Sequence, residues 1–183
     1  MIEKEYKYLI NEQEFLLLKQ KLNLKKFIAQ ENYYFDTENL EYFKHNITVR
    51  IRKKEKLQLQ IKKKAKVGSY TESTEQHFDL SLEEVPSEIN LNALEPQVNC
   101  SGLPPIVGLI GKLKTERYIA YYQDIKICLD KNFYHDNVDF ELELEFQDRN
   151  TVLKFIRLFN FNHTTNKVGK YERFLTYKRR GQQ

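Results

Sequence analysis

A chain of 183 residues, 40% hydrophobic and 31% charged, has the length of one domain and the composition of a soluble globular protein. No apolar run approaches the roughly 20 residues of a membrane-spanning helix. Charges at Glu3, Lys4, Glu5 and Lys7 leave no room for a secretory signal, so the expectation is a cytoplasmic protein with no membrane association. A net charge of +4 permits an anionic partner without demanding one.

In chain order, Ile2 to Ile10 alternates charged with aromatic or aliphatic residues and reads as a strand. Asn11 followed by Glu14 forms a capping box. The helix it opens carries Phe15, Leu17, Leu18 and Leu22 and ends near Asn23. Phe27 to Phe35 is a second strand. A short helix follows Asp36-Thr37, with Leu40 and Phe43 inward. Ile47 to Lys53 and Leu57 to Lys64 are strands joined by the turn Lys54-Glu55-Lys56, and Tyr70 to Leu80 is another. Ser81 with Glu84 predicts a further capped helix to about Ile89, despite Pro86. From Asn90 to Leu113, rich in Pro and Gly, loops and short helices are expected. Three strands follow at Arg117 to Tyr122, Ile125 to Phe133 and Val138 to Gln147, turning at Gln123-Asp124 and His135-Asp136-Asn137. An amphipathic helix over Thr151 to Phe161 and a basic helix over Gly169 to Arg179 end the chain. Eight strands joined largely by hairpins make an α+β protein built on an eight-stranded antiparallel β-barrel, helices packed outside, as one domain over 1–183.

Alternation sorts charge by sign. Along the hairpin from Thr48 to Lys64, Val49, Ile51, Leu57, Leu59 and Ile61 share one face, and Arg50, Arg52, Gln58, Gln60, Lys62 and Lys64 the other. In the last strand Phe140, Leu142, Leu144 and Phe146 oppose Glu141, Glu143 and Glu145, and in the first Glu3, Glu5 and Lys7 share a face. A solvated sheet face interleaves its charges, because like neighbours destabilise. Segregation instead places a cation beside the glutamates and a polyanion beside the arginines and lysines. The barrel is then inverted, wet and charged inside, with its apolar faces outward under the helices. Carboxylates suit Mg²⁺ or Mn²⁺, and Arg and Lys suit phosphate oxygens. Together these are the components of phosphoryl transfer.

Several motifs carry a family resemblance. Glu3-Lys4-Glu5-Tyr6-Lys7 resembles the ExExK signature of the CYTH domain, or triphosphate tunnel metalloenzyme, family. Tyr34-Phe35-Asp36-Thr37 with Leu40 is similar to its YYDT-x-x-x-L segment. Val49-Arg50-Ile51-Arg52 looks like its LRIR strand, and Gln60-Ile61-Lys62 like its TxK strand with Gln for Thr. Lys114-Thr115-Glu116-Arg117, Leu129-Asp130, Glu141 to Glu145 and Lys170-Tyr171-Glu172-Arg173 match later elements, so the resemblance runs from Ile2 to about Leu175. It implies a triphosphate tunnel. Glu3, Glu5, Glu143 and Glu145, with Glu75, Asp130 and Glu141, are its candidate metal ligands for Mg²⁺ or Mn²⁺. Lys7, Arg50, Arg52, Lys62, Lys64, Arg117, Lys170 and Arg173 would bind the triphosphate, and Glu5, Lys7 and Glu143 would be catalytic. The chain departs from the family at His77, which stands where a second acid is expected.

The reading that follows is a divalent-metal-dependent triphosphatase acting on inorganic triphosphate, with nucleoside or thiamine triphosphate as further candidates. Two alternatives stand beside it. One is an adenylyl cyclase, which needs an adenine pocket the sequence does not display. The other is a non-catalytic binder of polyphosphate, nucleotide or RNA; the glutamate ladder disfavours nucleic acid. Tyr33 and Tyr34 read as packing, His45, His135 and His163 as surface residues, Lys178, Arg179 and Arg180 as a solvated tail, and Cys100 and Cys128 as reduced thiols.

Overall fold

A computed structural model describes residues 2–94, 100–159, 161, 164–166 and 168–180. Its strands are β1 (Ile2–Ile10), β2 (Ile28–Asp36), β3 (Ile47–Lys53), β4 (Leu57–Val67), β5 (Tyr70–Leu80), β6 (Glu88–Asn90), β7 (Ile106–Tyr122), β8 (Ile125–Tyr134) and β9 (Asn137–Phe146). Helices α1 (Glu12–Lys21), α2 (Glu41–Lys44), α3 (Arg149–Leu158) and α4 (Lys170–Arg180) accompany them. Eight strands close an antiparallel barrel in the order β2-β3-β4-β5-β1-β9-β8-β7, with β7 pairing back onto β2. No helix among the described residues is long and apolar enough to cross a membrane.

The expected alternation holds. Val49, Ile51, Leu57, Leu59 and Ile61 are buried on the outer surface of β3 and β4. They pack with Phe35, Tyr42, Leu91 and Val107, and each contributes about 1.5–3 kcal/mol on full burial. On the other side Tyr6, Tyr8, Leu142, Leu144 and Phe146 meet Phe15 and Leu18 of α1 and Val152 and Phe155 of α3. Asn11 and Glu14 make the full capping box of α1, and Asp148 caps α3 through Asn150 and Thr151.

Between β5 and β8 the fold departs from expectation. No helix forms from Ser81. Residues 81–87 have no regular structure, and β6 follows. Pro86 has no N–H to donate and disfavours helix at the residue before it. Ile89 instead pairs with Val107, and Leu91 is buried in a 3₁₀ turn over Leu91–Leu94. The strand expected from Arg117 begins eleven residues earlier, at Ile106, so part of the predicted loop region is β7. This 17-residue strand serves β6, β2 and β8 in turn. Its glycines are not loop signals. The ladder with β2 shifts register between Tyr34 and Phe35, opposite Gly111, and a Cβ on Gly111 would stand 2.6 Å from the Phe174 ring. A strand glycine here marks close backbone approach.

That ring belongs to α4, which lies across one barrel end. Tyr171, Phe174 and Leu175 pack on Tyr34, Leu113 and Tyr134, and Tyr34 and Tyr171 stack at 4.5 Å. Lys178, expected in a solvated tail, donates to the Ile110 carbonyl at 2.7 Å. His163 lies outside the described residues. His45 and His135 are exposed, as expected.

Candidate functional site

A cavity of about 260 Å³ runs through the barrel. Alternate residues of all eight barrel strands line it, because every second side chain points inward. Glu3, Glu5 and Lys7 come from β1, Arg50 and Arg52 from β3, Lys62 and Lys64 from β4, and Glu75 from β5. Arg117 comes from β7, Glu143 and Glu145 from β9, and Lys170 reaches in from α4. Twelve predicted site residues thus share one space. Asp130, Glu141 and Arg173 do not line it; they sit behind the wall, buried.

The cations differ in their partners. Arg117 grips Asp130 at 2.8 and 2.6 Å and Glu143 at 2.5 Å. Lys170 contacts Asp130 at 2.8 Å, Glu143 at 2.6 Å and also Glu141. Arg173 pairs with Asp139 and Glu141, both at 2.7 Å. The Arg50 and Arg52 side chains reach amides instead, with Glu75 acting on Arg50 at longer range. The Arg50 Nε donates to Gln60 at 2.8 Å and the Arg52 Nε to Asn32 at 3.0 Å, both neutral amides. Burial, reinforced by Arg50 and Arg117, pushes Arg52 down to about 9.

Two further donors face the same space. The Asn32 Nδ2 and the Tyr34 hydroxyl are buried without a hydrogen-bond partner, at a cost of about 1–3 kcal/mol each. Asn32 stands opposite Arg52 in the ladder and Tyr34 opposite Arg50. Two guanidiniums and two orphaned neutral donors therefore form one concave patch. The sequence alone does not single out this pair, since Tyr34 reads there as packing. Its inward parity, shared with Asn32, was the available signal. Gln30, Thr48, His77, Lys126 and Tyr171 also join the lining unforeseen.

Opposite lies the acidic wall. Lys62 stands 2.6 Å from Glu75, 2.7 Å from Glu3 and 3.4 Å from Glu5. Lys7 also reaches Glu5 at 2.8 Å and Arg50 acts on Glu75, which leaves Glu3 with Lys62 alone. Burial and the neighbouring Glu75, Glu145 and Glu5 push Glu3 up to about 7, against Lys62. Glu75 is held well below the usual range because Lys62 and Arg50 overcome its burial. Burial likewise opposes ionisation of Glu5, but Lys7 at 2.8 Å and Lys62 hold it low.

This predicts a pH effect in metal-free protein. With Glu3 raised from 4.5 to about 7, the folded state binds more protons than the unfolded state in that window. The Glu3 contribution to stability is therefore lost as pH rises from 4.5 to about 7. Denaturant unfolding in EDTA should show a steeper decline in the wild type than in Glu3→Gln; parallel curves would refute it.

The carboxylate oxygens of Glu3, Glu5, Glu143 and Glu145 suit a hard divalent cation. Asp130, Glu141 and Glu143 bring oxygens within 4.8 Å of one another, but the Lys170 ammonium already contacts all three. The other converging group joins Glu143 and Glu145 of β9 with the buried free thiol of Cys128 on β8. Its carboxylates suit a hard divalent cation and its thiol a softer one.

The description of the CYTH domain matches residues 1–175. The chain belongs to the CYTH family. No curated protein matches it. Among solved structures, a candidate adenylate cyclase from Bacillus halodurans is 25% identical with a TM-score of 0.74, over 93% of this chain and 95% of that one. A candidate adenylyl cyclase from Hippeastrum, described as having dominant triphosphatase activity, is 17% identical with a TM-score of 0.73 over 95% of each chain. The PH1012 protein from Pyrococcus horikoshii is 19% identical, with a TM-score of 0.59 over 90% of this chain and 94% of that one. The last two show the CYTH fold alone. In this CYTH chain the cation and carboxylate walls meet around one cavity, an arrangement suited to a metal-bridged polyanion.

Proposed function

We propose that this CYTH protein hydrolyses a triphosphate, inorganic triphosphate foremost, with Mg²⁺ or Mn²⁺ at its acidic wall. The supporting observation is the donor patch of Arg50, Arg52, Asn32 and Tyr34: the two guanidiniums hydrogen-bond neutral amides, and the Asn32 Nδ2 and the Tyr34 hydroxyl are buried without a partner. Buried donors without acceptors are costly, so their persistence points to a ligand that supplies acceptors. Phosphate oxygens satisfy guanidinium forks in pairs.

In this reading Arg50, Arg52, Lys62 and Lys64 hold the phosphates, with Lys7, Arg117 and Lys170 adding positive charge around them. Arg173 binds Asp139 and Glu141 and so acts at one remove, fixing α4. Glu3, Glu5, Glu143 and Glu145 hold the metal, with Glu75, Asp130 and Glu141 behind or beside them. When bound, the divalent ion neutralises phosphate charge and acidifies a coordinated water. Glu5 orients the attacking water and accepts its proton. Water oxygen bonds to the terminal phosphorus, the bridging P–O bond breaks, and phosphate and diphosphate leave. Lys7, 2.8 Å from Glu5 and 3.7 Å from Glu143, stabilises the charge on the transferring group.

A cyclase would share the phosphate and metal contacts, and one CYTH relative is described as a candidate adenylate cyclase. Phosphate release from inorganic triphosphate, ATP and thiamine triphosphate, with Mg²⁺, Mn²⁺ or EDTA, tests the proposal. Rapid, EDTA-sensitive release from inorganic triphosphate is expected. Cyclic AMP from ATP with Mn²⁺, and no phosphate from triphosphate, would replace hydrolysis with cyclisation.

A further inference from the structure

Lys64 stands where two cavities meet. It lines the catalytic cavity and also a second one of about 490 Å³. The approach to α4 walls one side of its amine: a Cβ on Gly169 would stand 2.6 Å from the Lys64 Nζ. The side chain has no ion pair or hydrogen-bond partner among the described residues.

Most of the charge around it has its own sign. Lys7 on β1, Arg50 on β3 and Lys62 on β4 act on it from the tunnel, relieved in part by Glu5. Lys44 of α2 and Lys66 of β4 share the second cavity with it, against Glu172 of α4. An ammonium here is both desolvated and repelled. Burial, with Lys7 and Lys62, brings Lys64 down to about 7. Much of it is therefore free amine at neutral pH, and a lysine held among other cations in this way is a nucleophile.

Three requirements for N-carboxylation coincide at this position. The amine is unprotonated, a cavity admits a small electrophile, and positive charge surrounds the anion that would form. The amine lone pair attacks the carbon of dissolved carbon dioxide. A C–N bond forms, one C=O electron pair moves onto oxygen, and the N–H proton leaves to water. The product is a carbamate, an anion where a repelled cation would otherwise stand. Lys44 and Lys66, both exposed and without an ion pair among the described residues, flank it in the second cavity. We propose that carbon dioxide reversibly carbamylates Lys64, and that this carbamate and a bound phosphate chain exclude one another. The exclusion, though not the carbamate, rests on the triphosphate reading of the tunnel.

The metal-free protein is equilibrated with isotope-labelled carbon dioxide and bicarbonate. An oxonium alkylating reagent then traps carbamates for peptide mass spectrometry. Label on the wild-type peptide that carries Lys64 is expected, whether or not any variant folds. Its absence, or label on the N-terminal amine and surface lysines alone, overturns the proposal. Lys64→Arg keeps the charge but forms no carbamate at this position, so its peptide should carry no label while thermal melting shows an intact fold. Saturating tripolyphosphate should remove the wild-type label. By calorimetry, carbon dioxide at a level that carbamylates half of the protein should weaken tripolyphosphate binding about twofold in the wild type and not in Lys64→Arg. Label that persists beside bound tripolyphosphate overturns the exclusion. No tripolyphosphate binding by a protein that is labelled at Lys64 would sink the triphosphate reading and not the carbamate.

Discussion

Arg52→Met should cut triphosphate affinity and turnover by about a hundredfold while making the ligand-free protein harder to unfold. The two effects have one cause. Arg52 is buried beside Arg50 and Arg117, and its hydrogen bond goes to the neutral Asn32. In the empty tunnel its charge is a liability, lowered to about 9 by its surroundings. Replacing an uncompensated buried ion with a side chain of similar volume stabilises by about 1–2 kcal/mol, less whatever the Asn32 carbonyl loses with its donor. For a chain of this size each kcal/mol is about 2–4 °C in Tm. With phosphate bound the same guanidinium is a strong donor, and removing such a donor costs about two orders of magnitude in rate. Thermal melts in EDTA and steady-state kinetics with Mg²⁺ measure both. A lower Tm would mean that Arg52 serves the fold, and the argument for an anion-seeking patch would fail.

Lys170→Met should do the opposite to stability. Its ammonium touches Asp130 and Glu141, both 0% exposed, and Glu143. Removing it leaves buried carboxylates short of one positive charge, a loss of about 3–5 kcal/mol. The deficit should narrow at acid pH, because those carboxylates can take up protons instead. Lys170→Arg, which keeps the charge, should recover part of the loss. Denaturant unfolding of the three proteins at neutral and acid pH decides the matter. Wild-type stability in Lys170→Met would mean that Arg173 and the Tyr171 and Phe174 rings anchor α4 without it.

The inverted barrel was legible because a period of two survives any tertiary arrangement. Alternation puts Arg50 and Arg52 on a face opposite Val49 and Ile51, and the segregation of charge by sign, with helices to cover the apolar side, selects the inward direction. For the same reason most of the cavity lining could be listed from strand parity. Partnering could not. Nothing in the spacing of Lys170 or Arg117 distinguishes a cation consumed by carboxylates from one that awaits a ligand; that depends on which strands meet across the tunnel. Pro86 ends the expected helix locally, but Gly111 misled because it acts through a distant contact. Gly111 makes room for Phe174, 63 positions later in the chain, and β6 exists because Val107 offers it a partner.

The position of β1 in the barrel bears on how the protein is made. β1 lies between β5 and β9, and its ladder with β9 joins Lys4 to Phe146 and Ile10 to Phe140. Glu3, Glu5 and Lys7 must wait for β2 to β8 to be synthesised before their second neighbour strand, β9, exists. Closing so distant a pair is slow, since the loop entropy is lost before the contacts form. The acidic wall is therefore completed late. A nascent chain that stops before β9 has Glu3, Glu5 and Glu75 but lacks Glu143, Glu145 and Lys170, and it cannot close the tunnel.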